Sequence, residues 1–232
     1  MRYSKPMLEV TKRLRGESAF CSVTRHELQN LAGQLEALEN LAANKSPKDT
    51  EEAHLLKLES AGDKLLKRQR ELSDRIQTRT TEAVRAIAEK MDAELGMYSS
   101  PYAHEIRSAL RTMPPEQQQA AIKHATDNKD GQFFRAISEA PPMLSGLTST
   151  AVDNSMLAFK KKHAPELVRE SEQVMEALNT SLSALDIPRR AIREGVDPTK
   201  LIEIKEAEAR AEQAQVAFEA AQRQSGDGTG GI

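Results

Sequence analysis

From Pro47 to Leu95 the chain carries no further proline and a single glycine, Gly62, while its apolar residues recur at threes and fours. That spacing is the mark of a long amphipathic helix with one buried stripe. Leu55, Leu58, Leu65, Leu72, Ile76, Ala83, Ile87 and Met91 lie on the stripe. Leu58, Leu65 and Leu72 are spaced as heptad repeats. The later steps through Ile76, Thr80, Ala83, Ile87 and Met91 are longer on average, so a left-handed two-stranded coil is not sustained along the run. Gly62 costs about 1 kcal/mol relative to alanine in a helix interior. The helix is expected to stop at Gly96.

A second stripe precedes it at Leu28, Leu31, Leu35, Leu38 and Leu41. "TRHE", Thr24 to Glu27, has the spacing of a capping box and is expected to open that helix. "ANKSPKD" then interrupts the pattern. Asn44 suits a helix end, Ser46 an N-cap and Pro47 a first helical position. So short a turn folds the Leu28–Leu41 helix back antiparallel on the first half of the long one.

The middle of the chain changes character. Five of the ten prolines lie between Pro101 and Pro142, and five of the eight aromatic residues between Tyr98 and Phe159. "SSPYAHEIRSALRTM", "PPEQQQAAIKHATDN" and "DGQFFRAISEA" each read as a helix of two or three turns ended by a breaker, together a knot of short helices. In "DNKDGQFFRAISEAPPMLSGL", Asp127 to Leu147, a helix beginning at Asp130 puts Phe133, Phe134 and Ile137 mainly on one side. Pro141 and Pro142 stop it. Met143, Leu144 and Leu147 are expected to staple onto the next helix, which begins at Thr148 or Ser149. These six residues form the candidate site. They are read as a core clasp for the long helices, with a docking surface for a partner protein as the other reading.

Beyond Thr148 long helices return, broken at Pro165. Leu167, Val174, Leu178, Leu182 and Leu185 form a stripe expected to face Ile76, Ala83 and Ile87. "IPRRAIREGVDP" reads as a separate short helix. Asp197 caps a last helix whose apolar side is mostly alanine, stable as a helix but weakly adhesive. The tail "SGDGTGGI" reads as a flexible end. Hydrophobic residues make up 38% of the chain, charged ones 29% and aromatic ones 3%, with no Trp. So few aromatics do not build one large globular core. The expected fold is all-α: an elongated helical bundle with coiled-coil-like arms flanking the knot of short helices. Its expected segments are a basic N-terminal arm (1–23), a helical hairpin with the long helix (24–96), the knot (97–147), long C-terminal helices (148–224) and the tail (225–232).

Catalytic and cofactor signatures are missing. The five histidines are scattered, and "HELQN" at His26 and "HEIRS" at His104 lack the second histidine of a zinc helix. Setting Gly131 at the sixth position of a calcium loop leaves Ile137 where a bidentate Glu is required. There is no P-loop, no dinucleotide-binding glycine pattern and no nucleophile elbow. Carboxylates stand on helix faces opposite Lys and Arg, in the manner of solvated faces. The expectation is a protein without enzymatic activity or cofactor. The single cysteine, Cys21, excludes an intramolecular disulfide and reads as a small buried hydrophobe. No signal peptide and no membrane-spanning run are expected.

Thirty-three basic residues against thirty-five acidic ones leave a formal charge of −2, which gives no global attraction to polyanions. Two local basic groups, Lys12, Arg13 and Arg15 in the arm and Lys67, Arg68 and Arg70 further on, are the candidate nucleic-acid contacts. They support the alternative reading of a nucleic-acid-binding accessory protein.

The segment "LRTMPPEQQQAAIKHATDNKDGQFFRAISEAPPMLSGLTSTAVDNSMLAFKKKHAPEL", Leu110 to Leu167, resembles a pattern in uncharacterised helical proteins of tailed bacteriophages and prophages. There a short helix, a glycine-containing turn, an "AI..AP..LSGL" element and a long helix follow one another. The resemblance implies phage origin and brings no functional residue with it. With the helical architecture it leads to an expected structural or assembly protein, a virion or head-morphogenesis component. Such a chain would pair with itself and with other virion or capsid-related proteins, in the virion or the bacterial host cytoplasm.

Overall fold

The computed structural model of the chain describes residues 3–14, 16, 18–195 and 197–226, with 222–226 described as backbone alone. Arg15, a candidate nucleic-acid contact, lies outside the described residues, as do residues 227–232 of the glycine-rich tail. The fold is all-α, and no strand occurs among the described residues. Its helices are α1 (Ser4–Lys12), α2 (Ala19–Ala43), α3 (Glu51–Glu94), α4 (Ala103–Thr112), α5 (Pro115–Asp127), α6 (Gly131–Ser138), α7 (Ser149–His163), α8 (Pro165–Gly195) and α9 (Pro198–Gly226). A 3-10 turn, Pro142–Leu144, separates α6 from α7.

Helix ends follow local chemistry, though not always where the sequence marks them. Thr24 does not open a helix. It is fully buried inside α2, which begins at Ala19. Ser46 does not cap α3 either: its hydroxyl accepts from the Lys48 amide within a turn. Thr50 caps that helix instead, its hydroxyl accepting from the Ala53 amide at 3.1 Å. At Pro188 the expected break is absent and α8 runs through to Gly195. The break before Pro165 is present, with Ala164 leaving helical geometry. Asp197 caps α9 through the Thr199 amide at 3.0 Å, and Gly96 takes φ +65° just past α3.

The helices pack as two compact units. The first comprises Met1–Arg13, Arg25–Asp74 and Ser181–Ile232, the second Leu14–Thr24 and Arg75–Thr180. In the first unit the buried faces are Ser4, Met7 and Thr11 on α1, Leu28, Leu31 and Leu35 on α2, and Leu58, Leu65 and Leu72 on α3. Gly62 faces Ile192 there. A Cβ on it would meet Ile192 Cγ2 at 3.4 Å, an ordinary van der Waals contact, so α3 and α8 leave room for a methyl group between them.

In the second unit one core gathers Ile87 and Met91 from α3, Leu95 just past its end, Leu110 from α4, Phe134 and Ile137 from α6, Val152 and Phe159 from α7, and Val168 and Val174 from α8. Leu167 packs partly against it. Further along α8, in the first unit, Leu182 is exposed, whereas Ser181, Ala184, Leu185 and Pro188 are buried.

Candidate functional site

The segment from Asp127 to Leu147 is built residue by residue from turn chemistry. At the end of α5, Lys129 adopts φ +55° and the Asp130 amide reaches back to the Ala125 carbonyl at 2.9 Å, a Schellman-type closure. Asp130 then starts α6, its carboxylate accepting from the Phe133 amide at 3.0 Å. Gly131 follows because nothing larger fits. A Cβ there would stand 2.0 Å from the Leu95 carbonyl oxygen and 2.6 Å from the Gly96 carbonyl carbon. At the other end of α6 the Arg107 guanidinium donates to the Ala136 carbonyl at 2.8 Å and pairs with Glu139 at 3.3 Å. A cation on the last carbonyls of a helix satisfies orphan acceptors and opposes the macrodipole.

This fixes the aromatic centre. Phe134 and Phe159 stack with ring centroids 4.1 Å apart and planes 15° apart, both fully buried. Phe133 meets Phe134 edge-on at 5.5 Å. His163 leans on Phe159, and its Nε2 lies 2.6 Å from the Thr126 carbonyl oxygen, within reach of an N–H donated by that nitrogen. One residue earlier, Lys162 binds Asp127 at 2.7 Å. Thus the last turn of α7 is pinned to the last turn of α5. Lys162 holds the Asp127 carboxyl below its ordinary value, chiefly by hydrogen bonding to it.

The six candidate residues divide. Phe134 and Ile137 are fully buried, and Phe133 and Leu147 are half-buried against the same core. Met143 and Leu144 do not staple onto α7: the 3-10 turn holds them outward, at 77% and 43% exposure. Leu147 alone of those three packs inward, just before Thr148, whose hydroxyl caps α7 through the Ala151 amide. Tyr98 and Tyr102, in the connection before α4, are also exposed.

The first unit holds a cleft of about 470 Å³, lined by Leu35, Leu38 and Glu39 of α2, Leu58 of α3, Ile192 and Glu194 of α8, and Tyr3, among others. Glu39 collects the start of α1. Its carboxylate accepts from the amides of Tyr3 and Ser4 and, at 2.6 Å, from the Ser4 hydroxyl. The phenol of Tyr3 donates to Glu194, and that hydrogen bond, ahead of desolvation, holds the phenol above its ordinary pKa. One residue therefore ties the two carboxylates. The sequence gives no sign of it, because Tyr3, Glu39 and Glu194 are brought together only by tertiary packing.

The basic candidates stand on the surface. Lys12 is paired with Glu9 at 2.7 Å, Arg68 lies 3.6 Å from Glu71, and Arg13, Lys67 and Arg70 are exposed. No group of three or more potential metal ligands occurs among the described residues, and no helix among them is long and apolar enough to cross a membrane.

A further feature is α9. Its first turns touch the unit through Leu201, which is buried, and through Lys205, which binds Glu59 at 2.6 Å. From Lys205 to Ala221 every residue is exposed, Val216 and Phe218 to more than 60%. No protein-family model matches the chain, and neither a curated protein nor a solved structure is significantly similar to it.

Proposed function

We propose that the chain is a structural or assembly protein acting through helix–helix contacts with itself and with protein partners, as a component of a phage virion or of head morphogenesis. The observation that carries this reading is α9. Five turns of helix project their whole circumference to solvent while displaying Val216 and Phe218. Alanine, glutamate and glutamine hold such a helix together locally. Its exposed apolar side chains contribute nothing to the fold of their own chain. The cost of exposing them is recovered only when another surface covers them. Met143, Leu144, Tyr98 and Tyr102 give the second unit a comparable set of outward apolar and aromatic groups, residue types enriched where proteins meet. The resemblance of Leu110–Leu167 to helical proteins of tailed phages supports the virion assignment.

The test is the fate of the chain in the cell that produces it. Fractionation of that culture on a density gradient is expected to bring the chain down with assembled particles. Recovery only in the soluble fractions at the top of the gradient overturns the virion assignment.

A further inference from the structure

We propose that α9 closes as a strap onto α3 of its own chain, Glu212 pairing with Lys67 and Arg70 to extend a contact the two helices already make two turns earlier. This goes beyond the assembly reading and does not rest on it.

The existing contact fixes direction and register. Both stretches belong to the first unit. Leu201 of α9 is buried, and Lys205 binds Glu59 of α3 at 2.6 Å. Asp63, one turn further along α3, also acts on the Lys205 charge, and Lys200 acts on Glu51. Later residues of α9 thus meet later residues of α3, and the two helices run parallel. Moving seven residues on along each helix, two turns, leads from Lys205 to Glu212, from Glu59 to Leu66 and from Asp63 to Arg70. Glu212 therefore falls against the stretch from Leu66 to Arg70, which contains Lys67. Steps of three and four also keep Lys67 and Arg70 on the α3 face that carries Asp63, and Glu212 on the α9 face that carries Leu201 and Lys205.

Charge favours closure at that point. Lys67, Arg70 and Glu212 are exposed, and among the described residues they stand in no ion pair. Glu208 falls between Asp63 and Lys67, where the two signs offset. Beyond the pair the attraction ends, because Glu219 falls opposite Asp74. The strap is therefore the first half of the projecting helix. Phe218 lies about 100° around α9 from the closing face and stays uncovered. Because α9 is exposed from Lys205 onward, closing needs only a tilt about its anchored first turns. Exposed ion pairs are individually weak and screened by salt, so the strap opens and closes. Closed, it covers Lys67 and Arg70 and holds its own shaft away from partners; open, it frees both.

Spin-label distances on the full-length chain test this. Ser60→Cys on α3 and Ala217→Cys on the far side of α9 carry the labels. Both positions are exposed, whereas the native Cys21 is fully buried and escapes labelling. An excess of unlabelled chain dilutes out contacts between copies. Two distance populations are expected, the shorter from the closed strap. Raising salt from about 20 mM to about 500 mM shortens the screening length from about 20 Å to about 4 Å and is expected to reduce the shorter population about threefold. Glu212→Lys is expected to do the same at low salt, with helix content unchanged by circular dichroism. Adding Lys67→Glu and Arg70→Glu to Glu212→Lys is expected to restore it. One distance population indifferent to salt and to Glu212→Lys overturns the strap, as does a loss that the charge swap fails to restore. Closure in a chain of strictly monomeric mass keeps the strap and removes the assembly reading.

Discussion

Gly131 abuts the carbonyl oxygen of Leu95 so closely that a Cβ on it would stand 2.0 Å away. The first turn of α6 is thereby pressed onto the end of α3, which is what places Phe134 in the core.

Gly131→Ala is expected to destabilise the protein by about 3 kcal/mol or more, because the obstacle is backbone and cannot rotate away. Gly62→Ala has the opposite sign. Its new methyl meets the Ile192 side chain at an ordinary 3.4 Å, so the helix-propensity gain of about 1 kcal/mol prevails. Urea unfolding of both variants checks the pair.

Lys129 occupies the left-handed region at φ +55°, where a side chain costs of order 1 kcal/mol. Lys129→Gly is expected to raise stability by about 0.5–1 kcal/mol, the strain relieved outweighing the added freedom of the unfolded chain. Thermal unfolding reads this as a higher midpoint.

The clasp and the outward pair are separable by mutation. Phe134→Ala removes a fully buried stacked ring and is expected to cost about 3–5 kcal/mol. Met143→Ser, at 77% exposure, is expected to stay within about 0.5 kcal/mol of the parent. Equal losses at both positions would contradict this account of the segment.

Acid tests the pin between α5 and α7. Lys162 depresses the Asp127 carboxyl in the folded state. The contribution is therefore complete above the unfolded carboxylate value of about 4 and is lost as pH falls through the lowered folded value. Lys162→Gln is expected to flatten this part of the pH–stability profile below about pH 4 while changing neutral-pH stability little, as for exposed pairs generally. A parallel profile would mean that the pair does not titrate with folding. At the alkaline end the sign reverses for Tyr3 and Lys205. Their hydrogen bonds to Glu194 and Glu59 raise the folded values, and those contributions disappear as pH rises through them.

The helical class was legible because period and breakers agree. Leu58, Leu65 and Leu72 are buried where their spacing puts them, and Asp130 caps α6 as its position implies. What was not legible depended on tertiary packing. Thr24 looks like a cap, yet it is swallowed by α2 because residues from Ala19 onward also find a buried face. Pro188 looks like a break, yet α8 passes through it with the ring buried. Met143 and Leu144 follow a Pro-Pro pair that turns them outward, and local apolar pattern cannot report direction. The stack of Phe134 on Phe159 and the tie of Tyr3 to Glu39 and Glu194 join residues far apart in sequence. Phe218, by contrast, lies in plain view in the sequence, and only the structure shows that nothing covers it.

The central claim, self-association through exposed helices, meets its most direct test in light scattering of the purified full-length chain across a concentration series. The account predicts a weight-average mass that rises above the 25.7 kDa monomer with concentration and falls back when Phe218 is replaced by alanine. A mass fixed at 25.7 kDa throughout the series contradicts it.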